Sequence, residues 1–193
     1  MKHSKRVAAG TLAALAVVAA TAARSADNGP VLRLRAAAVD IGGTPARTTM
    51  LDIGIERWTT DAEHARLAAV LKEKGADPLL EALKDVRPRA GYIRSTGSVG
   101  WDIHYARQET LSDGTRRIVL ATDRPMPFWE LWSRPRSVDY QYTLAEIRLG
   151  PDGKGRGTLV PAARIDYDDI TNTIEVENFE QQPVRLTEVR VEK

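Results

Sequence analysis

The chain has no cysteine among its 193 residues. That excludes disulfides, thiolate metal sites and the lipid-carrying cysteine of a bacterial lipoprotein. Aromatic residues are few, with two Phe, four Trp and five Tyr, so a cluster of them is informative wherever it falls. Histidine is scarcer still: His3, His64 and His104 are the complete set. No Gly-x-Ser-x-Gly elbow and no His-Glu-x-x-His pair occurs, so the signatures of the α/β-hydrolases and of the zincin proteases are missing. With only His64 and His104 beyond the first residues, a zinc site would need a carboxylate-heavy ligand set, which is uncommon. The reading therefore includes no metal and no cofactor.

What is present first is an export signal. A basic start, Met1-Lys2-His3-Ser4-Lys5-Arg6, precedes an alanine-rich apolar run from Val7 to Ala20 and then small residues from Thr21 to Ala26. That order is the pattern of a secretory signal peptide, assigned to residues 1–25. Cleavage fits after Ala22 or after Ser25. The expected location is exported, periplasmic or secreted, with no stable membrane span in the mature form. Residues 26–30 read as a linker, and 31–193 as one β-rich α+β domain, long enough to bury a proper core.

Export changes the charge argument. The whole chain carries +2, from 28 basic and 26 acidic residues. Lys2, Lys5 and Arg6 leave with the leader, and Arg24 with them if cleavage falls after Ser25, which then gives 24 basic against 26 acidic residues in the remainder. No basic excess is left for phosphate neutralisation, so nucleic acid is not an expected partner.

Period-2 alternation dominates the mature region. Val31 to Val39 reads as a first strand, and Leu51, Ile53 and Ile55 mark a second. A helical hairpin is expected over about 60–86. Thr60-Asp61-Ala62-Glu63 is a capping box, Gly75 ends the first helix, and Asp77-Pro78 reads as the N-cap and first turn of the second. Trp101, Ile103 and Tyr105 then read as one strand face, with Asp102 and His104 on the other. Ser112-Asp113-Gly114-Thr115 is a hairpin turn, with Ile118 to Ala121 returning. Apolar alternation runs through Tyr142 and Leu144, then shifts to Ala145, Ile147 and Leu149, as a β-bulge would produce. Strands at 158–167, 172–179 and 184–191 would form a meander. The expected fold is a curved antiparallel sheet or partly closed β-barrel with the helical hairpin packed on it; a flat sheet with helices on one face is the alternative. The expected core includes Ile53, Ile55, Leu67, Leu71, Leu83, Trp101, Ile118, Leu120, Tyr142 and Ile147.

Several stretches are similar to one family. They are Glu56-Arg57-Trp58-Thr59-Thr60-Asp61-Ala62-Glu63, Leu71-Lys72-Glu73-Lys74-Gly75, Tyr105-Ala106-Arg107-Gln108, Ala121-Thr122-Asp123-Arg124-Pro125, Arg136-Ser137-Val138-Asp139-Tyr140, and Glu177-Asn178-Phe179 before Gln182-Pro183-Val184. Over roughly residues 50–190 the chain resembles a family of short exported bacterial proteins with no assigned activity. The resemblance implies an exported single domain and supplies no catalytic residues.

Four motifs invite a chemical reading. Asp40-Ile41-Gly42-Gly43-Thr44 matches a phosphate motif of sugar kinases, but that fold needs a much longer chain, so it reads as a glycine turn. Asp166 to Asn172 with Glu177 has calcium-like spacing, yet Ile170 and Thr171 occupy positions that want a ligand and a glycine, so a solvated hairpin turn is the reading. Asp102 and His104, two apart on one strand face, are the catalytic candidates, since a carboxylate can orient an imidazole base. Phe128-Trp129-Glu130-Leu131-Trp132, flanked by Arg124, Arg134 and Arg136, is the ligand-binding candidate. Trp129 and Trp132 either plug the end of the core or face a ligand.

The leading expectation is an exported, non-catalytic binding or accessory protein of the cell envelope. It would hold an apolar or sugar-like ligand near Trp129 and Trp132. The alternatives are a metal-independent hydrolase or isomerase using Asp102 and His104, and an envelope assembly or structural protein with a protein partner.

Overall fold

The computed structural model describes residues 29–41, 47–126, 140–168, 173–178 and 183–192. The strands are β1 (Leu32–Asp40), β2 (Arg47–Ile55), β3 (Gly91–Ser95), β4 (Trp101–Thr110), β5 (Arg116–Thr122), β6 (Tyr142–Leu149), β7 (Lys154–Asp168), β8 (Thr173–Asn178) and β9 (Val184–Val191). Two helices, α1 (Asp61–Lys74) and α2 (Ala76–Lys84), lie between β2 and β3.

β1 to β6 are joined antiparallel in chain order. β7 pairs with β6 on one side and with β9 on the other, and β9 pairs with β1. The eight strands β1–β7 and β9 thus close into a barrel, the closed form of the expected curvature, and α1 and α2 pack outside it. Closure removes the exposed edges of an open sheet. The inward positions are apolar, as the alternation requires: Leu34, Ile53, Ile103, Ile118, Leu120 and Ile147 are each 0% exposed. Nine of the ten expected core residues are buried; Trp101 is half-buried and packs on the inner cluster. Among the described residues no helix is long and apolar enough to cross a membrane.

Three expectations need correction. The last three strands are not a meander, because β9 pairs with β7 and β1 and not with β8; β8 and β9 follow one another along the same edge of β7, opposite β6. The C-terminal part of β7 pairs with β8 from Ala163↔Asn178 to Asp168↔Thr173, and beyond Ala163, its last partner position on β6, it leaves the barrel with β8 alone. Trp101, Ile103 and Tyr105 do not share a face, because the β4–β5 register shifts between Ile103 and Tyr105. Ile103 points into the barrel and Tyr105 packs outside, in the helix-facing cluster. The apolar shift within β6 has another cause than a bulge in that strand. Tyr142 and Leu144 face outward beneath the helices, while Ala145, Ile147 and Leu149 face inward. The extra residue lies in β7, where Tyr142↔Ala163 and Leu144↔Val160 set two steps of β6 against three of β7. Pro161, which has no ladder donor to offer, sits in that bulge. The Thr143 hydroxyl lies 2.8 Å from the Pro161 carbonyl and accepts from the Met126 N–H at 2.7 Å.

The helical hairpin forms over the expected range because its signals are local. The Thr60 hydroxyl accepts from the Glu63 N–H at 3.2 Å, and the Glu63 carboxylate accepts from the Thr60 N–H at 2.9 Å. The second helix starts two residues earlier than Asp77-Pro78 suggests. Gly75, at φ 85°, closes α1 and also serves as the N-cap of α2. Two anchors fix this layer. Thr59 pairs with Ala106, donating its N–H at 2.7 Å and accepting the Ala106 N–H through its hydroxyl at 2.9 Å. The Tyr142 hydroxyl donates to the Ala76 carbonyl at 2.6 Å.

Candidate functional site

Outside the barrel, β4 to β7 depart from the usual polar exterior. Tyr105, Val119, Ala121, Tyr142 and Leu144 point outward there and line a cleft of about 350 Å³. α1 contributes His64, Leu67, Ala68 and Leu71 to the other side, and α2 contributes Leu79 and Leu83. These helical positions follow three- and four-residue spacing, which puts them on one stripe. The β7–β8 arm adds Ile165, Ile174 and Val176. Ile165 is buried, whereas Ile174 and Val176 are 55% and 50% exposed. Their register explains the contrast. Ile165↔Val176 and Tyr167↔Ile174 put all four on one face, but β8 is the outermost strand. The arm therefore leaves its apolar face half uncovered beside the cleft.

Polar groups in the cleft are few. The Tyr105 hydroxyl and His64 Nδ1 are hydrogen-bonded at 3.0 Å. Burial raises the pKa of the Tyr105 phenol, against an opposing pull from Arg107. At the other end stands Arg117, whose Nε and Nη2 reach Glu146 at 3.0 and 2.8 Å. Burial of Glu146 favours its neutral form, but Arg117 and Arg148 outweigh that and lower its pKa. The cleft thus offers a broad apolar surface, one tyrosine–histidine pair and one cation. Among the described residues no third side chain is hydrogen-bonded to His64 to orient the tyrosine–histidine pair, as nucleophilic catalysis would want.

His64, to which the sequence alone assigns no site role, lines the cleft. Its position three residues before Leu67 is the signal that places it on the apolar stripe.

The catalytic candidates are placed apart from this cleft. Asp102 is taken by Arg89, Nη1 to Oδ1 at 2.6 Å, and is half exposed. His104 is buried, and the carboxylate within reach of its Nε2 is that of Asp123, at 3.6 Å. Its Nδ1 is buried without a hydrogen-bond partner among the described residues. The β4–β5 register shift at this point is what changes the outlook of His104. Among the ligand-binding candidates, Arg124 donates to the Gly100 carbonyl at 3.2 Å. Trp129, Trp132, Arg134 and Arg136 lie outside the described residues, as do residues 1–28, Gly42–Gly43 and the turn at 169–172. Asp166 is held by Arg164 at 2.7 Å.

Comparison of the chain with protein-family models, with curated proteins and with solved structures finds no match.

Proposed function

We propose that this protein is an exported, non-catalytic binding protein of the cell envelope, and that it holds an apolar ligand in the cleft between its helical hairpin and the outer barrel wall. The observation that carries the reading is the cleft itself. Its 350 Å³ is at the lower end of small-molecule sites, roughly 300–1,000 Å³, which are mostly apolar with a few placed polar groups. A sugar-like ligand fits less well, because a carbohydrate needs many hydrogen-bonding partners and this lining supplies few. The export signal supports the location, and the absence of an assembled acid–base–nucleophile set in the cleft supports binding over catalysis.

The test is native mass spectrometry of the mature protein purified gently from its own envelope, beside an Ala68→Trp variant. Ala68 is an exposed helical residue on the cleft lining, so an indole there fills the cleft without overpacking the core. A non-covalent adduct on the parent that is lost in the variant supports the reading. An adduct retained by the variant puts the ligand elsewhere, and an adduct-free parent that takes up no alkyl compound on titration rejects it.

A further inference from the structure

Next to the cleft the outer wall breaks a rule of sheet stability. Arg117 on β5 is directly opposite Arg148 on β6, and Arg148 is directly opposite Arg156 on β7. Side chains in such positions stand about 4.5–5.5 Å apart at Cβ, and like charges there destabilise the sheet. All three stand on the outward face of the sheet: Arg117 with the cleft-lining Val119 and Ala121, Arg148 with the cleft-lining Leu144, and Arg156 with Val160, which packs in the helix-facing cluster. Arg117 itself lines the cleft, four residues along β5 from Ala121, or about 13 Å at strand rise.

The compensation is incomplete. Glu146 alone bridges Arg117 and Arg148, its second oxygen accepting from Arg148 Nε at 3.0 Å. No ion pair ties Arg156 to a carboxylate among the described residues. Glu109 faces Arg117 from β4 and Glu188 lies in the β9 bulge opposite Arg156, but among the described residues Glu146 is the carboxylate ion-paired to this row. Local rules are broken at a cost, and functional sites are where proteins retain such costs.

Building on the proposed binding function, we infer that the ligand is a single-chain anionic amphiphile. Its alkyl chain lies in the apolar cleft and its anionic head rests on the Arg117–Arg148–Arg156 row. A carboxylate or phosphate head there turns three crowded guanidiniums into charge-assisted hydrogen-bond donors. The chain meanwhile covers the half-exposed Ile174 and Val176. The two parts of the ligand match two adjoining surfaces whose chemistry changes from apolar to cationic along the same strands.

The experiment is calorimetric titration of the full mature chain at low ionic strength. The probes are dodecanoate, dodecanol, dodecyltrimethylammonium and inorganic phosphate, each alkyl probe below its aggregation threshold. Dodecanoate is expected to bind about tenfold or more tightly than dodecanol or the ammonium compound, a gap that added salt narrows. Arg148→Gln with Arg156→Gln is expected to erase that gap and leave dodecanol binding as it was. Both residues are exposed and outside the core, so the fold survives the change. Equal binding of dodecanoate and dodecanol overturns the anionic head and leaves the apolar-ligand reading standing. Binding of no alkyl probe removes both. Phosphate bound as tightly as dodecanoate, and unaffected by Ala68→Trp, would mean an anion site unrelated to the cleft and would overturn the amphiphile.

Discussion

The two outer walls of the barrel carry similar numbers of arginines and treat them differently. On the β2–β3–β4 wall each described cation has its partner. Arg89 grips Glu56 at 2.8 Å and Asp102 at 2.6 Å, and Arg94 lies 3.8 Å from Asp52. The Tyr92 ring is flanked by both guanidiniums, 5.6 Å from Arg89 and 4.9 Å from Arg94. It lies so close over Gly54 that a Cβ there would sit 2.4 Å from the ring. Glu56 and Asp102 hold the Arg89 pKa above its ordinary value. On the β5–β6–β7 wall three arginines stand opposite one another, with Glu146 bridging two of them and Arg156 in no ion pair among the described residues, beside an open apolar cleft. The inside of the barrel does not distinguish these walls, since both present buried aliphatic residues to it. The exterior does, and the finished wall is structure while the unfinished one is the candidate site.

A first way to break the comparison is to test whether the barrel and the helical layer are packed alike. Ile147→Ala removes a side chain with 0% exposure from the barrel interior and should cost about 2–5 kcal/mol in chemical denaturation. Leu71→Ala, beneath the helices and on the cleft lining, should cost about 2 kcal/mol, because a neighbourhood bordering an open cleft relaxes into the space. Equal losses would mean that the helical layer is as tightly packed as the barrel, and the cleft would no longer mark a loose boundary.

The next contrast concerns the arginines themselves. Arg89→Met should destabilise by about 0.5–1 kcal/mol, since it strands Glu56 and Asp102 at a half-exposed site. Arg148→Gln should change stability by less than about 0.5 kcal/mol or raise it, since it removes a like-charge opposition on both sides. Measuring both by urea titration sharpens the comparison directly. A larger loss for Arg148→Gln than for Arg89→Met would show that the arginine row stabilises the sheet, and the argument for an external anion would lose its basis.

These contrasts also explain what could be read from the sequence. The helical hairpin was legible because its determinants are a few residues apart: Thr60 with Glu63, Gly75 after Lys74. The inward positions of β2, β5 and β6 were legible from alternation alone. Pairing was not, because nothing local in β9 says that it joins β1, some 150 residues away, rather than β8. The two register shifts were hidden for a related reason. Tyr105 turns outward because Thr59 pairs with Ala106 from a distant segment, and the bulge expected near Leu144 belongs to its partner strand at Pro161. The cleft was illegible as a unit, since it assembles outward-facing residues of β4 to β8 with one stripe of each helix. The aromatic residues adjacent in sequence that suggest a ligand site, Trp129 and Trp132, lie outside the described residues.

The smallest expected effect concerns the seam between the two layers, where Arg57 joins the chain leaving β2 to the first turn of α1. Arg57 Nη1 donates to Glu63 at 2.9 Å, and this bond with the Thr60 N–H lowers the Glu63 pKa from 4.5 to about 2. A carboxyl with a depressed folded-state pKa contributes stability above its unfolded value, and that contribution is lost as pH falls through the folded one. Glu63 should therefore contribute fully above about pH 4.5 and progressively less down to about pH 2. Glu63→Gln keeps an acceptor for the capping box and should cost less than about 1 kcal/mol at pH 7, because the ion pair is partly solvated. Its cost should shrink further as pH falls from 4.5 to 2, so that parent and variant converge in acid. A constant difference across that window would mean that the seam is held by the cap geometry alone and that the charge on Glu63 contributes nothing to joining helix to barrel.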